Sequence, residues 1–138
     1  MMKKKYLKAL LAILLASVLA LQPGCKLFHE EFDITGVWEL TRIEEYGTFT
    51  CKYIFIGTKE KGIIQEYPQD DHYSDGVYSV NLDQVYLTTR IGRGGLVNIR
   101  DFVGSVISND LLLGTIAGRQ EQSGQITLTW TGTWRATR

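Results

Sequence analysis

Two cysteines, two histidines and one acidic run have the most direct claim to chemistry in this 138-residue chain. The run QDDHYSDG (69–76) gathers Asp70, Asp71, His72 and Asp75 ahead of Gly76. Clustered carboxylates can hold a hard cation such as Ca²⁺ through oxygen, but a calcium loop needs acids at alternate positions and a glutamate at its twelfth. That spacing is missing, so the run is expected to be a solvated acidic loop, and no metal site is expected. The glycines of IGRGGL (91–96) could cradle a phosphate only if a helix opened behind them. A strand-like run follows instead, which makes the segment a hairpin tip with Arg93 exposed. Nucleophilic catalysis needs a base beside a serine or cysteine. His29 and His72 stand in a tether and in the acidic loop, with no G-x-S-x-G elbow to present a nucleophile. Glu44 and Glu45 are adjacent, so in a strand they point to opposite faces and cannot share a site. No catalytic residue, no cofactor and no enzymatic activity are expected.

The remaining chemical candidate is Cys25, and the residues before it say what it would be for. Lys3, Lys4, Lys5 and Lys8 precede an uncharged stretch from Ala9 to Leu21. At about 1.5 Å per residue that stretch spans roughly 20 Å as a helix, short of the roughly 30 Å hydrocarbon core. A basic start followed by an apolar run of this length reads as a secretory signal helix over residues 1–24. LALQPGCKLF (19–28) resembles the signal of bacterial lipoproteins, with Gly24 immediately before the cysteine and a leucine-rich approach. Gln22 stands where that family has an aliphatic residue, and Pro23 is unusual there. The resemblance implies cleavage before Cys25, acylation of its amino and thiol groups (palmitate or a similar chain) and a lipid bilayer as partner. Cleavage after Ala20 by ordinary signal peptidase, or an uncleaved anchor, stays open. Lys26 lacks the aspartate that enteric lipoproteins use for inner-membrane retention, so the resemblance implies an outer-membrane location facing the periplasm. Residues 25–32 then form a lipidated tether of at most about 28 Å, and 33–138 the domain.

Loss of residues 1–24 leaves eleven basic against fifteen acidic residues, a net charge near −4. Nucleic acid would require a basic patch, so it is not an expected partner. With Cys25 acylated, Cys51 has no intramolecular partner and reads as a small buried apolar residue.

From Asp33 onward no helical period is sustained. Eight β-branched and aromatic runs recur instead, at 36–46, 48–56, 62–67, 76–81, 84–90, 96–107, 111–118 and 125–137, separated by Gly, Asn, Asp and Ser. Short links join only antiparallel neighbours, which makes an up-and-down meander. In the last run Ile126, Leu128, Trp130, Gly132, Trp134 and Ala136 alternate with Thr127, Thr129, Thr131, Thr133, Arg135 and Thr137. One face is dry and the other wet. Each tryptophan can bury on the order of 200 Å², an upper estimate of roughly 5 kcal/mol per ring. With no helix to cover that face, the sheet must curl on itself and lose its edges. If residues 108–110 form a three-residue link, Gly104 falls opposite Gly114, flanked by Phe102 with Ile116 and Val106 with Leu112; in another register the two glycines never meet. Such a facing pair suits a sharp bend or a ring lying over the backbone.

The expected fold is therefore all-β, a single eight-stranded antiparallel up-and-down barrel. At DITGVWEL (33–40), Gly36 and Trp38 resemble the G-x-W opening of lipocalin-like and avidin-like barrels. In lipocalins that tryptophan closes one end, with an arginine near the end of the last strand packed across it, so the resemblance implies closure by Trp38 with Arg135 or Arg138. Strands of about seven residues suggest a shallow barrel. Trp130 and Trp134 are assigned to the same structural closure. Two functions follow. In the first, the mouth carries a small apolar or amphipathic ligand, with Tyr53, Phe55, Tyr78 and Tyr86 as candidate lining residues. In the second, a filled barrel serves as an interaction module for an envelope protein.

Overall fold

The computed structural model describes residues 31–67 and 73–138, the side chain of Tyr73 excepted. Cys25, His29, Asp70, Asp71 and His72, and with them the expected signal and residues 25–30 of the expected tether, lie outside the described residues. Eight strands follow one another without an intervening helix: β1 (Gly36–Glu44), β2 (Gly47–Gly57), β3 (Lys61–Tyr67), β4 (Tyr73–Asn81), β5 (Gln84–Arg93), β6 (Leu96–Ser108), β7 (Leu111–Gln122) and β8 (Gln125–Thr137). Each pairs antiparallel with the next, and β8 returns to β1 through Leu40↔Ala136 and Arg42↔Trp134, closing the barrel. The meander expected from the short links is the one observed.

Turn chemistry explains why successive strands pair. Ser123 and Gly124 link β7 to β8 with φ of 53° and 77°. Two consecutive positive φ values give the turn whose twist matches that of the flanking strands. Leu82, also at positive φ (57°), opens the two-residue turn between β4 and β5.

The strands run from seven to thirteen residues, longer than the shallow barrel expected from apolar runs alone. Their ends are built from Thr, Gln, Glu and Arg, whose backbone completes the ladder as well as that of any apolar residue. For the same reason β4 begins at Tyr73, so Asp75 and Gly76 belong to a strand and not to the acidic loop. The hairpin tip within IGRGGL shrinks to Gly94 and Gly95, with Arg93 exposed beside it.

Gly104 does pair with Gly114, between Phe102↔Ile116 and Val106↔Leu112. The link differs from the expected one: Ser108 pairs with Leu111, and a bulge between Val106 and Ser108 absorbs the extra residue. A Cβ on Gly114 would stand 2.5 Å from Nε1 of Trp134, and one on Gly104 would also collide with that ring. The two glycines thus form a bed for an indole lying flat on the wall.

Alternation sorts the rest. Trp38, Leu40, Tyr53, Phe55, Leu87, Phe102, Leu112, Ile116, Trp134 and Ala136 are buried inside, and the threonines of β8 face outward. The tryptophan-bearing face of β8 is the dry one, as the alternation requires. In an up-and-down barrel the connections alternate between two ends. The β2–β3, β4–β5 and β6–β7 turns share one end with the start of β1 and the end of β8; the β1–β2, β5–β6 and β7–β8 turns stand at the opposite mouth.

Candidate functional site

At the first end the chain plugs its own barrel. Trp38 is fully buried and donates its indole N–H to the Ile34 carbonyl at 2.8 Å. The Arg138 guanidinium lies 4.5 Å from the Trp38 ring centre and donates to the Asp33 carbonyl at 2.8 Å. Phe32 sets its edge on the same indole, with centroids 6.2 Å apart, so the last residue of the expected tether packs on the domain. Arg138 is the arginine across Trp38. Arg135 is exposed on the outer face of β8, because it falls on the wet side of the alternation. Gly36, at φ 111°, starts β1 just ahead of the plug.

Above the plug the interior is an aromatic stack. Tyr53 meets Phe55 and Phe102 edge-on, Phe55 meets Tyr78, and Phe102 meets Trp134, with centroid separations from 5.3 to 6.3 Å. Such edge-to-face contacts fill space efficiently. Of the candidate lining residues, Tyr53, Phe55 and Tyr78 therefore do point inward, but as core. Tyr86 does not: it lies on the outer face of β5 opposite Val103 and is 46% exposed. Leu87, its neighbour, takes the inward place.

Towards the mouth the interior turns polar. Glu44, with its side chain 2% exposed, accepts from Nη1 of Arg42 at 2.9 Å and from Nε of Arg100 at 2.8 Å. A second donation, from Nη2 of Arg100, reaches its other oxygen at 3.4 Å. The Arg42 guanidinium lies 5.2 Å from the centre of the Phe49 ring, and that of Arg100 lies 5.2 Å from that of Trp130. Gly118 makes the second stack possible, since any Cβ there would collide with the Trp130 indole. Removing two cations and an anion from water is costly, and only mutual contact and ring stacking offset it.

Among the described residues, five buried side-chain polar atoms lack a hydrogen-bond partner: Nε of Arg42 and Nε1 of Trp130 in the cluster, the Tyr53 hydroxyl and Oγ1 of Thr89, and Nε1 of Trp134, which lies deeper over Gly114. Each such group carries a desolvation penalty of about 1–3 kcal/mol, so native proteins rarely leave several together without water or a ligand to bind them. Burial raises the Tyr53 phenol well above its ordinary range, aided by the Glu66 and Cys51 side chains, so it stays a neutral hydroxyl. The Cys51 thiol, half-buried on the inner face of β2, is pushed up to about 12 by burial and then by Glu66. It is an inert core thiol in accord with its place in the pattern. Among the described residues no group of three or more His, Cys, Asp or Glu side chains could hold a metal, and Asp75 is exposed on β4.

Arg42, Glu44, Arg100 and Thr89 are absent from the candidates drawn from sequence, though a signal for them exists. Trp38 and Leu40 face inward, so Arg42 and Glu44 share their side of β1, and Phe102 places Arg100 inward on β6. Charges on the dry register of two strands were the mark of the site.

No family model and no curated protein matches the chain. Among solved structures, the chain is similar to EF1p2_mFAP2b bound to DFHBI, with a TM-score of 0.61 and 14% identity over 76% of this chain and 93% of that one. A redesigned β-barrel, mFAP1, bound to DFHBI, gives a TM-score of 0.53 at 13% identity over 76% of this chain and 94% of that one. At such identities the likeness is one of fold.

Proposed function

We propose that this protein is a membrane-anchored envelope lipoprotein whose small barrel binds a small amphipathic ligand in the mouth half of its interior. One observation carries the ligand reading: buried donors without a partner, Nε of Arg42 and Nε1 of the Trp130 ring that Arg100 stacks on, in a buried ion cluster. Barrels of related architecture that hold DFHBI supply a precedent for a ligand in such a fold. The reading is of a binder and not of an enzyme. Native mass spectrometry of gently purified protein is expected to show a non-covalent adduct that leaves on denaturation. A bare mass, together with no small molecule in a solvent extract, would defeat the reading.

The anchor rests on the sequence around Cys25, which supports acylation and an outer-membrane location facing the periplasm. Cys25→Ser is expected to shift the protein from the membrane to the soluble fraction; retention on membranes would overturn the anchor.

A second reading keeps the barrel filled and makes it an interaction module for an envelope protein. The observation in its favour is an exposed band of β-branched residues, in which Ile56 pairs with Ile63 and Ile63 with Val77. All three are more than two-fifths exposed. Under that reading no adduct forms, and one envelope protein is recovered by cross-linking at Ile63 and lost with Ile63→Lys.

A further inference from the structure

We infer that the ligand is an amphiphile with an anionic, acceptor-rich head such as a carboxylate, bound head-first. Its head would lie against the Arg42–Glu44–Arg100 cluster and its apolar part against the rim. The inference rests on the ligand-binding reading and adds to it the chemical class and the direction of entry.

Three observations combine. First, the interior is layered. The inward positions at the mouth carry Phe49, Leu96 and Leu128, all large, apolar and at least 40% exposed. One step deeper come Cys51, Asn98 and Trp130, and then the belt around Arg42, Glu44, Arg100 and Thr89. Below the belt the aromatic stack and the Trp38 plug occupy the axis. An apolar tail therefore has no room beneath the belt, whereas exposed apolar surface awaits it above.

Second, the unpartnered atoms want acceptors. Nε of Arg42 and the Trp130 indole nitrogen can only donate, so they cannot satisfy one another. The neighbouring Tyr53 and Thr89 hydroxyls donate as well as accept and can serve one another or a ligand. A carboxylate offers about four lone-pair sites and no donor, which complements this set.

Third, the two guanidiniums share one carboxylate. Arg42 and Arg100 both bond to Glu44, and among the described residues neither has a second carboxylate within ion-pair distance. Glu66, part-buried on the inner register of β3 across from Tyr53, takes a hydrogen bond from the Ser74 hydroxyl at 3.4 Å and makes no ion pair with either arginine. A second carboxylate entering from the mouth would therefore meet charged donors able to bind it.

The test uses the full chain and three probes below their micellar concentrations: dodecanoate, dodecanol and dodecylammonium. Calorimetry is expected to rank dodecanoate tighter than either of the others by about tenfold or more. Arg100→Met, which keeps an apolar stem under Trp130, should remove that preference. Should this variant fail to fold, orientation can be read on the native protein with dodecanoate brominated beside the carboxylate or at the far end. The head-labelled probe is expected to quench tryptophan fluorescence more strongly. Dodecanol or dodecylammonium binding as well as dodecanoate, or stronger quenching by the tail-labelled probe, would overturn this inference while leaving a ligand-binding barrel. Failure of all three probes to bind, with no adduct in the native mass spectrum, would take both down.

Discussion

Gly118 exists, on the structural argument, to let one indole lie flat. The three atoms nearest to a Cβ built there all belong to the Trp130 ring. Gly118→Ala should therefore drive the ring off the wall and off the Arg100 guanidinium it stacks upon. Overpacking of this kind costs about 1–3 kcal/mol. At about 2 kcal/mol this corresponds to a fall in melting temperature of roughly 10 °C for a domain of about a hundred residues. The nearest clash is with a side chain, so it should vanish when the ring is removed. In the Trp130→Leu background, Gly118→Ala is expected to be neutral within about 0.5 kcal/mol, giving a coupling energy of about 2 kcal/mol in a double-mutant cycle. Gly114→Ala supplies the contrast. There the new methyl would meet Trp134, but also the Val103 carbonyl oxygen and, at 2.6 Å, the Gly104 Cα. Backbone cannot swing aside, so Trp134→Leu should leave most of the Gly114→Ala penalty in place. Urea unfolding followed by far-ultraviolet circular dichroism measures the six variants and the unmutated protein. Additive costs at Gly118 and Trp130, or full rescue of Gly114→Ala by Trp134→Leu, would refute the reasoning.

Further predictions concern the charges and the plug. Glu44→Gln leaves two buried guanidiniums without their anion and should cost about 3–5 kcal/mol in urea unfolding, whereas Glu39→Gln, on the exposed face of the same strand, should stay within about 0.5 kcal/mol. The Cys51 thiol and the Tyr53 phenol are both held protonated in the folded state, so the native protein keeps protons that the unfolded chain releases. Stability should therefore be flat near neutrality and fall as pH rises from about 9 towards 12, less steeply in Cys51→Ala; a rise over that window would contradict the assignment. At pH 8 the thiolate fraction implied by a value of about 12 is roughly a thousandfold below that of an ordinary cysteine, so alkylation of Cys51 in the Cys25→Ser protein should be slow until the barrel unfolds. Arg138→Ala removes a stacked cation and should lower stability by about 1 kcal/mol, with Arg135→Ala near neutral; the reverse order would place the wrong arginine over Trp38.

Much of the fold was legible because β8 alternates without a break. Two tryptophans on one face and threonines on the other leave few ways to hide the rings, and the facing glycines supplied the matching recess. Strand ends were less legible. Tyr73 to Asp75 and Arg119 to Gln122 are polar, so periodic apolar residues stop before the ladder does. The bulge near Ile107 was invisible because one extra residue in a link and one in a strand look alike in sequence. The site was the least legible part. Reading outward from aromatic residues selected Tyr53, Phe55 and Tyr78, which turned out to be the filled layer. The charged inward positions were passed over because charge suggests solvent, and only the register contradicts that. Tyr86 went wrong through the same shortcut, since an aromatic on the wet side of β5 satisfies composition but not alternation.

The Arg138–Asp33 bond and the β1–β8 seam join segments a hundred residues apart. Each hairpin can pair as it emerges, but the outer edge of β1 has no partner until β8 has left the ribosome, so the barrel stays open until the last segment is made. Under the export proposed above, that dependence on the final segment is useful: closure waits as long as the chain is still being made. The cost falls on truncated products, which would expose two long unpaired edges and are the species quality-control proteases should remove first.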